Sequence, residues 1–99
     1  MTNAFPPKDP AAVLDYCFDW SGWLTDGETI PDGGAVITAP GLTINPDGKT
    51  TQIEGGKVVF WLGGGVAETF CDVSCQISTS AGRKDRRTST LRIAPRPVI

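Results

Sequence analysis

Tyr16, Phe18 and Trp20 recur at every second position, with Cys17 and Asp19 between them. In an extended chain this spacing puts the three aromatics on one face and the Cys and Asp on the other, whereas a helix would scatter them. A second alternation runs through Cys71, Val73, Cys75 and Ile77, separated by Asp72, Ser74, Gln76 and Ser78. It predicts a half-buried strand with both cysteines in the core. In a third segment Val58, Phe60 and Leu62 share one face, but Val59 and Trp61 make the other face apolar too. Either that outer face is covered by the N-terminal segment, or Trp61 contributes to a contact with another chain.

Turn chemistry divides the chain at short intervals: Asp26-Gly27, Pro31 to Gly34, Pro40-Gly41, Asn45 to Gly48, Gly55-Gly56, Gly63 to Gly65 and Ser80 to Gly82. Asn45-Pro46-Asp47-Gly48 has Pro second and Gly fourth, the arrangement of a type I turn. The strands these turns leave are expected at about 13–20, 28–30, 35–38, 41–45, 50–54, 57–62, 67–79 and 87–94. The best helix candidate, residues 10–15 with Asp9 as N-cap, amounts to one turn. Many short strands with regular turns predict an all-β antiparallel sandwich or barrel of about seven or eight strands. Tyr16, Phe18, Trp20, Phe60, Phe70, Val73 and Ile77 are the expected core.

Two features qualify this pattern. Phe5 to Pro10 contains three prolines and no periodicity, so residues 1–10 are expected to form an extended arm and residues 11–99 a single sandwich domain. Charge is also segregated. Residues 1–80 hold three lysines and ten acids, a net of −7, while residues 81–99 hold six basic groups and one acid, a net of +5; together they give the formal −2. Such polarity suits steering toward a partner, and it equally suits a solvated hairpin that keeps its edge strands soluble.

The composition excludes much chemistry. There is no histidine, so the usual general base, the serine-type triad and the commonest metal ligand are missing. Cys71 and Cys75 on one strand stand roughly 13 Å apart, too far to bridge or to share a metal. Three cysteines without an apolar leader point to an intracellular origin and free thiols. Asp15 and Asp19 lie about as far apart, beyond the window of a glycosidase pair. Gly63-Gly64-Gly65 lacks the Lys and Ser or Thr of a phosphate loop, and Asn45 to Gly48 lacks the downstream acid of a calcium loop. No apolar run approaches the roughly 18 residues of a membrane span. Arg83-Lys84-Asp85-Arg86-Arg87 is a small basic cluster in an acidic chain, so nucleic acid is disfavoured as a partner. Trp20, Trp23 and Trp61 leave a sugar-stacking platform as an alternative.

Phe5-Pro6-Pro7-Lys8-Asp9-Pro10, Val13-Leu14-Asp15-Tyr16, Asp19-Trp20-Ser21, Trp23-Leu24 and Gly27-Glu28-Thr29-Ile30 together resemble the opening of a family of small tailed-bacteriophage virion proteins, the fibre-to-tail adaptors. Gly64-Gly65, Glu68-Thr69-Phe70, Ile77 to Arg83 and Leu91-Arg92-Ile93 resemble its end. The resemblance implies an immunoglobulin-like sandwich and no catalytic residues; Cys17, Cys71 and Cys75 are not part of its motif, so a metal or redox role would be peculiar to this chain, and no cofactor or metal is expected. The resemblance also implies assembly in the host bacterial cytoplasm into a virion, in multiple copies of a symmetric ring that joins tail, connector or portal to fibre. The expected partner-binding residues are Phe5 and Lys8 in the arm, Arg83, Lys84, Arg86 and Arg87 in the basic hairpin, and Trp61. A capsid decoration protein and a carbohydrate-binding module are the alternative readings.

Overall fold

The computed structural model describes residues 3–95; Met1 and Thr2 of the arm, and Arg96 of the basic C-terminal segment, lie outside that range. Among the described residues there are eight strands: β1 (Asn3–Ala4), β2 (Leu14–Asp19), β3 (Ala35–Thr38), β4 (Thr43–Ile44), β5 (Gln52–Glu54), β6 (Lys57–Gly63), β7 (Thr69–Ser78) and β8 (Lys84–Ile93). They form two sheets. One has the order β1-β8-β7-β3; in the other β2 pairs with one side of β6, while β4 and β5 pair with its two ends. All pairings are antiparallel except that of β1, which runs parallel to β8.

The alternations place the core between the sheets. From β2 come Tyr16 and Phe18, from β6 Val58, Phe60 and Leu62, from β7 Cys71, Val73, Cys75 and Ile77, and from β8 Leu91 and Ile93. Tyr16 and Phe18 stack on Phe60 at 6.1 and 5.7 Å between ring centroids, offset geometries that add to the area they bury. Trp20, just past β2, is fully buried. Phe70 departs from expectation: it is 71% exposed. The alternation that turns Cys71 and Val73 inward necessarily turns Phe70 outward.

Two turns are tighter than their sequences suggest. Glu54 pairs with Lys57 across Gly55-Gly56, and both glycines have positive φ, +56° and +84°, as a two-residue type I′ hairpin requires. At Asn45 to Gly48 the turn is shifted by one residue. Lys49 N–H donates to Pro46 O at 3.2 Å, and the central residues are Asp47 and Gly48, both at positive φ, so the expected type I turn gives way to a type I′ geometry. The expected strand at 28–30 is absent: Glu28 is fixed through its carboxylate and Thr29 by single bonds to Ser80 rather than by a ladder, and β8 begins at Lys84, three residues earlier than its pattern indicates. Asp9 does start a single turn: its carboxylate accepts from Ala11 N–H and its carbonyl from Ala12 N–H.

Two contrasts test this packing. Phe60→Ala should destabilise the fold by about 3–5 kcal/mol, whereas Phe70→Ser should stay within about 0.5 kcal/mol, both read by urea denaturation. A Cβ at Gly56 would sit 2.9 Å from Leu24 Cδ1 and 3.1 Å from Ser21 Cα, while one at Gly55 meets open space. Gly56→Ala should therefore cost more than about 1 kcal/mol, and Gly55→Asn should be nearly neutral because Asn tolerates the left-handed region.

Candidate interaction surfaces

The loop from β2 to β3 crosses between the sheets, and one carboxylate holds it. Glu28 Oε1 accepts from Thr25 N–H at 2.9 Å and from the Thr25 hydroxyl at 3.1 Å. Oε2 accepts from the Thr79 hydroxyl at 2.5 Å and from Arg83 Nε at 2.9 Å, and Arg83 Nη2 reaches Oε1 at 2.5 Å. This is a two-pronged guanidinium–carboxylate pair in which the Glu28 side chain is 1% exposed. The hydrogen bonds from Arg83, then those from Thr79 and Thr25, hold the Glu28 carboxyl far below the ordinary carboxylate range. The same guanidinium lies 3.8 Å over the Trp23 ring and donates to Trp23 O at 3.3 Å.

Arg87 is also used internally. Although β8 turns it toward the sandwich interior, it sits where the core ends, 4.1 Å over the Trp20 ring, and donates to Asp19 O at 2.7 Å. Trp20 in turn meets Trp23 edge-on at 5.4 Å. Burial pushes the thiol of neighbouring Cys75 up, an effect partly offset by the Arg87 charge. Trp61 is half-buried, with Lys49 Nζ 4.8 Å from its ring. The three tryptophans therefore do not form a sugar-stacking platform: one is core, one lies under Arg83 and one is shared with Lys49.

The arm lies on the body. Phe5 N–H donates to Thr90 O and Lys8 N–H to Arg92 O, and Lys8 O accepts from Ala94 N–H. Phe5 is half-buried, its ring 4.9 Å from Tyr16 and 5.6 Å from Phe18. Lys8 corrects the sequence expectation, since it is fully buried and its ammonium donates to Gly64 O at 2.7 Å and Asp9 O at 2.9 Å. A charge satisfied by two carbonyls inside the fold does not meet another chain. The arm also covers the side of the sandwich next to β8 rather than the outer face of β6, where Val59 and Trp61 lie.

Of the four expected basic contacts, Arg83 and Arg87 are thus engaged internally, and Lys84 and Arg86 are exposed. The latter two project from the outer face of β8, which also carries Thr88, Thr90 and Arg92. Gln76 accepts from Arg86 at 3.1 Å and Glu68 from Arg92 at 3.2 Å. On the same face, Phe70 at 71% exposure faces Arg92 and Val36 at 59% faces Gln76; among the described residues the other exposed large apolar side chain is Val66, in the loop before β7. This outer face of the first sheet combines cations and the exposed Asp72 with separated apolar groups. Among the described residues no cluster of three or more Asp, Glu or Cys could hold a metal ion.

Sequence reasoning missed Glu28, Thr25 and Thr79. One signal was present: Thr25-x-x-Glu28 has the spacing of a capping box, in which the acid reaches back to the backbone N–H three residues earlier. That bond forms here although no helix follows.

Residues 8–92 match a family model described as Podophage GP4 fiber-tail adaptor protein gp77. A search of curated proteins found no match.

Acid should erode the stability that the Glu28 anchor contributes. Its carboxyl is depressed in the folded state from an ordinary value of 4.5, so the unfolded chain binds the extra proton. Stability from this group is complete above about pH 4.5 and falls as pH drops below it. Glu28→Gln should lower the melting temperature at pH 7 by more than about 5 °C, and the gap from the unsubstituted chain should narrow toward pH 2, as followed by circular dichroism.

Proposed function

The chain belongs to the podophage GP4 fibre-tail adaptor family, gp77, and on that premise we propose that it is a non-enzymatic structural protein that joins the tail or head–tail connector to the tail fibre. Several copies arranged in a ring would suit that position. The observation that carries this reading is the extent of the family match, which spans residues 8–92 and so takes in every strand but the two-residue β1, up to the penultimate residue of β8. The outer face of β7 and β8 supports it. With Arg83 and Arg87 engaged by Glu28 and the Asp19 carbonyl, Lys84, Arg86 and Arg92, together with Phe70 and Val36 and beside the exposed carboxylate of Asp72, are the groups positioned to meet a partner. Cations set around scattered apolar anchors suit a protein surface carrying acidic residues.

A reconstruction of the intact particle tests the assignment. The expected result is density for the chain between tail and fibre, with the outer face of β7 and β8 covered. Density on the capsid lattice would replace it with a decoration role. The charge-reversal pair Lys84→Glu and Arg86→Glu should reduce incorporation into particles by about tenfold or more with the melting temperature unchanged, since reversed rim charges slow association and add repulsion. Normal incorporation would remove this face from the interface.

A further inference from the structure

The longest uninterrupted sheet edge among the described residues is unoccupied. β2 pairs only with β6, over all six of its residues. The other exposed edges are shorter or broken: β1 has two residues, β3 has four, the stretches of β7 and β8 left unpaired beside β3 and β1 have five each (69–73 and 84–88), and β4 and β5 are separated by the loop around Asn45 to Thr51. A long, regular edge offers a row of backbone donors and acceptors to another chain.

A groove runs beside this edge. Its volume is about 410 Å³, and it is walled on one side by Phe5, Pro6 and Pro7 and on the other by Leu14, Asp15, Tyr16 and Cys17. Leu14 and Tyr16 belong to the inner face of β2, and Asp15 and Cys17 to the outer face. Residues of both faces can line one groove only where it follows the strand's edge. The arm cannot fill the position itself. Pro6 and Pro7 have no N–H to donate, and Phe5 and Lys8 direct their backbone bonds to β8. One wall is therefore apolar and lacks amide donors at the prolines, and the other is a strand edge.

Charge identifies the occupant. β2 carries Asp15 and Asp19 and no cation. Asp19 is engaged by Ser21 and faces Lys57 across the ladder, whereas Asp15 is exposed and faces Trp61. Two copies joined antiparallel through β2 and centred on Cys17 would set Asp15 against Asp19, like charges directly opposed. That register is disfavoured for a second copy, and a strand edge whose charged side chains are both carboxylates favours an occupant with basic side chains. We propose that the β2 edge and the groove beside it receive an extended segment of another protein, in which Lys or Arg alternates with apolar residues, by strand addition to the second sheet.

Cys17 reports on the site. It is exposed in the groove, and Cys71 and Cys75 are buried. The purified chain would be mixed with a short synthetic peptide of alternating valine and lysine, or with its valine–glutamate counterpart, and alkylated with a maleimide. At about ten times its Kd the lysine peptide should slow Cys17 alkylation about tenfold and shift the backbone amides of β2 by NMR, with no such effect from the glutamate peptide. Asp15→Lys, an exposed change that leaves the melting temperature unchanged, should reverse the preference. Equal protection by both peptides, protection by neither, amide shifts confined to β3 or the outer face of β8, or an unaltered preference in the Asp15 variant would each overturn the proposal. So would protection that rises with protein concentration without peptide, which would place a second copy on the edge. No tail or fibre protein enters this assay, so its failure leaves the adaptor reading to stand or fall on the particle reconstruction.

Discussion

The arrangement depends on the Glu28 carboxylate, a buried charge satisfied from three directions. It is reached by the backbone and hydroxyl of Thr25 from its own loop, and by the Thr79 hydroxyl and Arg83 guanidinium from the turn between β7 and β8. A carboxylate removed from water is tolerated only with such partners. It thereby ties the segment that leaves the second sheet to the hairpin that ends the first. The backbone bonds from Ser80 N–H to Thr29 O and from Ser78 N–H to Gly34 O extend the same seam. Arg83 then has a second task, covering Trp23.

The basic cluster accordingly has two functions. The alternation of β8, continued back to Arg83, sends Arg83 and Arg87 to the end of the sandwich interior, where each guanidinium lies over an indole, a use for which Arg is better suited than Lys. Lys84 and Arg86 take the other face. A run that looks uniformly basic in one dimension is divided into cations that close the core and cations that remain for a partner.

The arm follows related logic. Its prolines suit an extended path, but its position is set by Phe5 against the β2 aromatics and by Lys8 inside the body. Burial lowers the pKa of Lys8 while the Asp9 charge opposes that shift. The arm covers the edge of β8, leaves β2 open, and lends the groove beside β2 an apolar wall.

The all-β class, the two alternating core strands, the buried cysteines and most strand positions followed from the sequence alone, because a period of two and glycine-rich turns are local properties. The ends of the chain also carried the family resemblance. What local pattern could not supply was which charged residues turn inward. Lys8, Glu28, Arg83 and Arg87 are polar by type, and each is fixed by groups distant in sequence: Gly64, Thr79, Trp23 and Trp20. Phe70 shows the converse, an apolar residue exposed because its strand's phase was set by its neighbours. Only the tertiary structure could decide these cases, since the cost of burying a charge, or the lack of cost in exposing a ring, depends on partners that folding brings together.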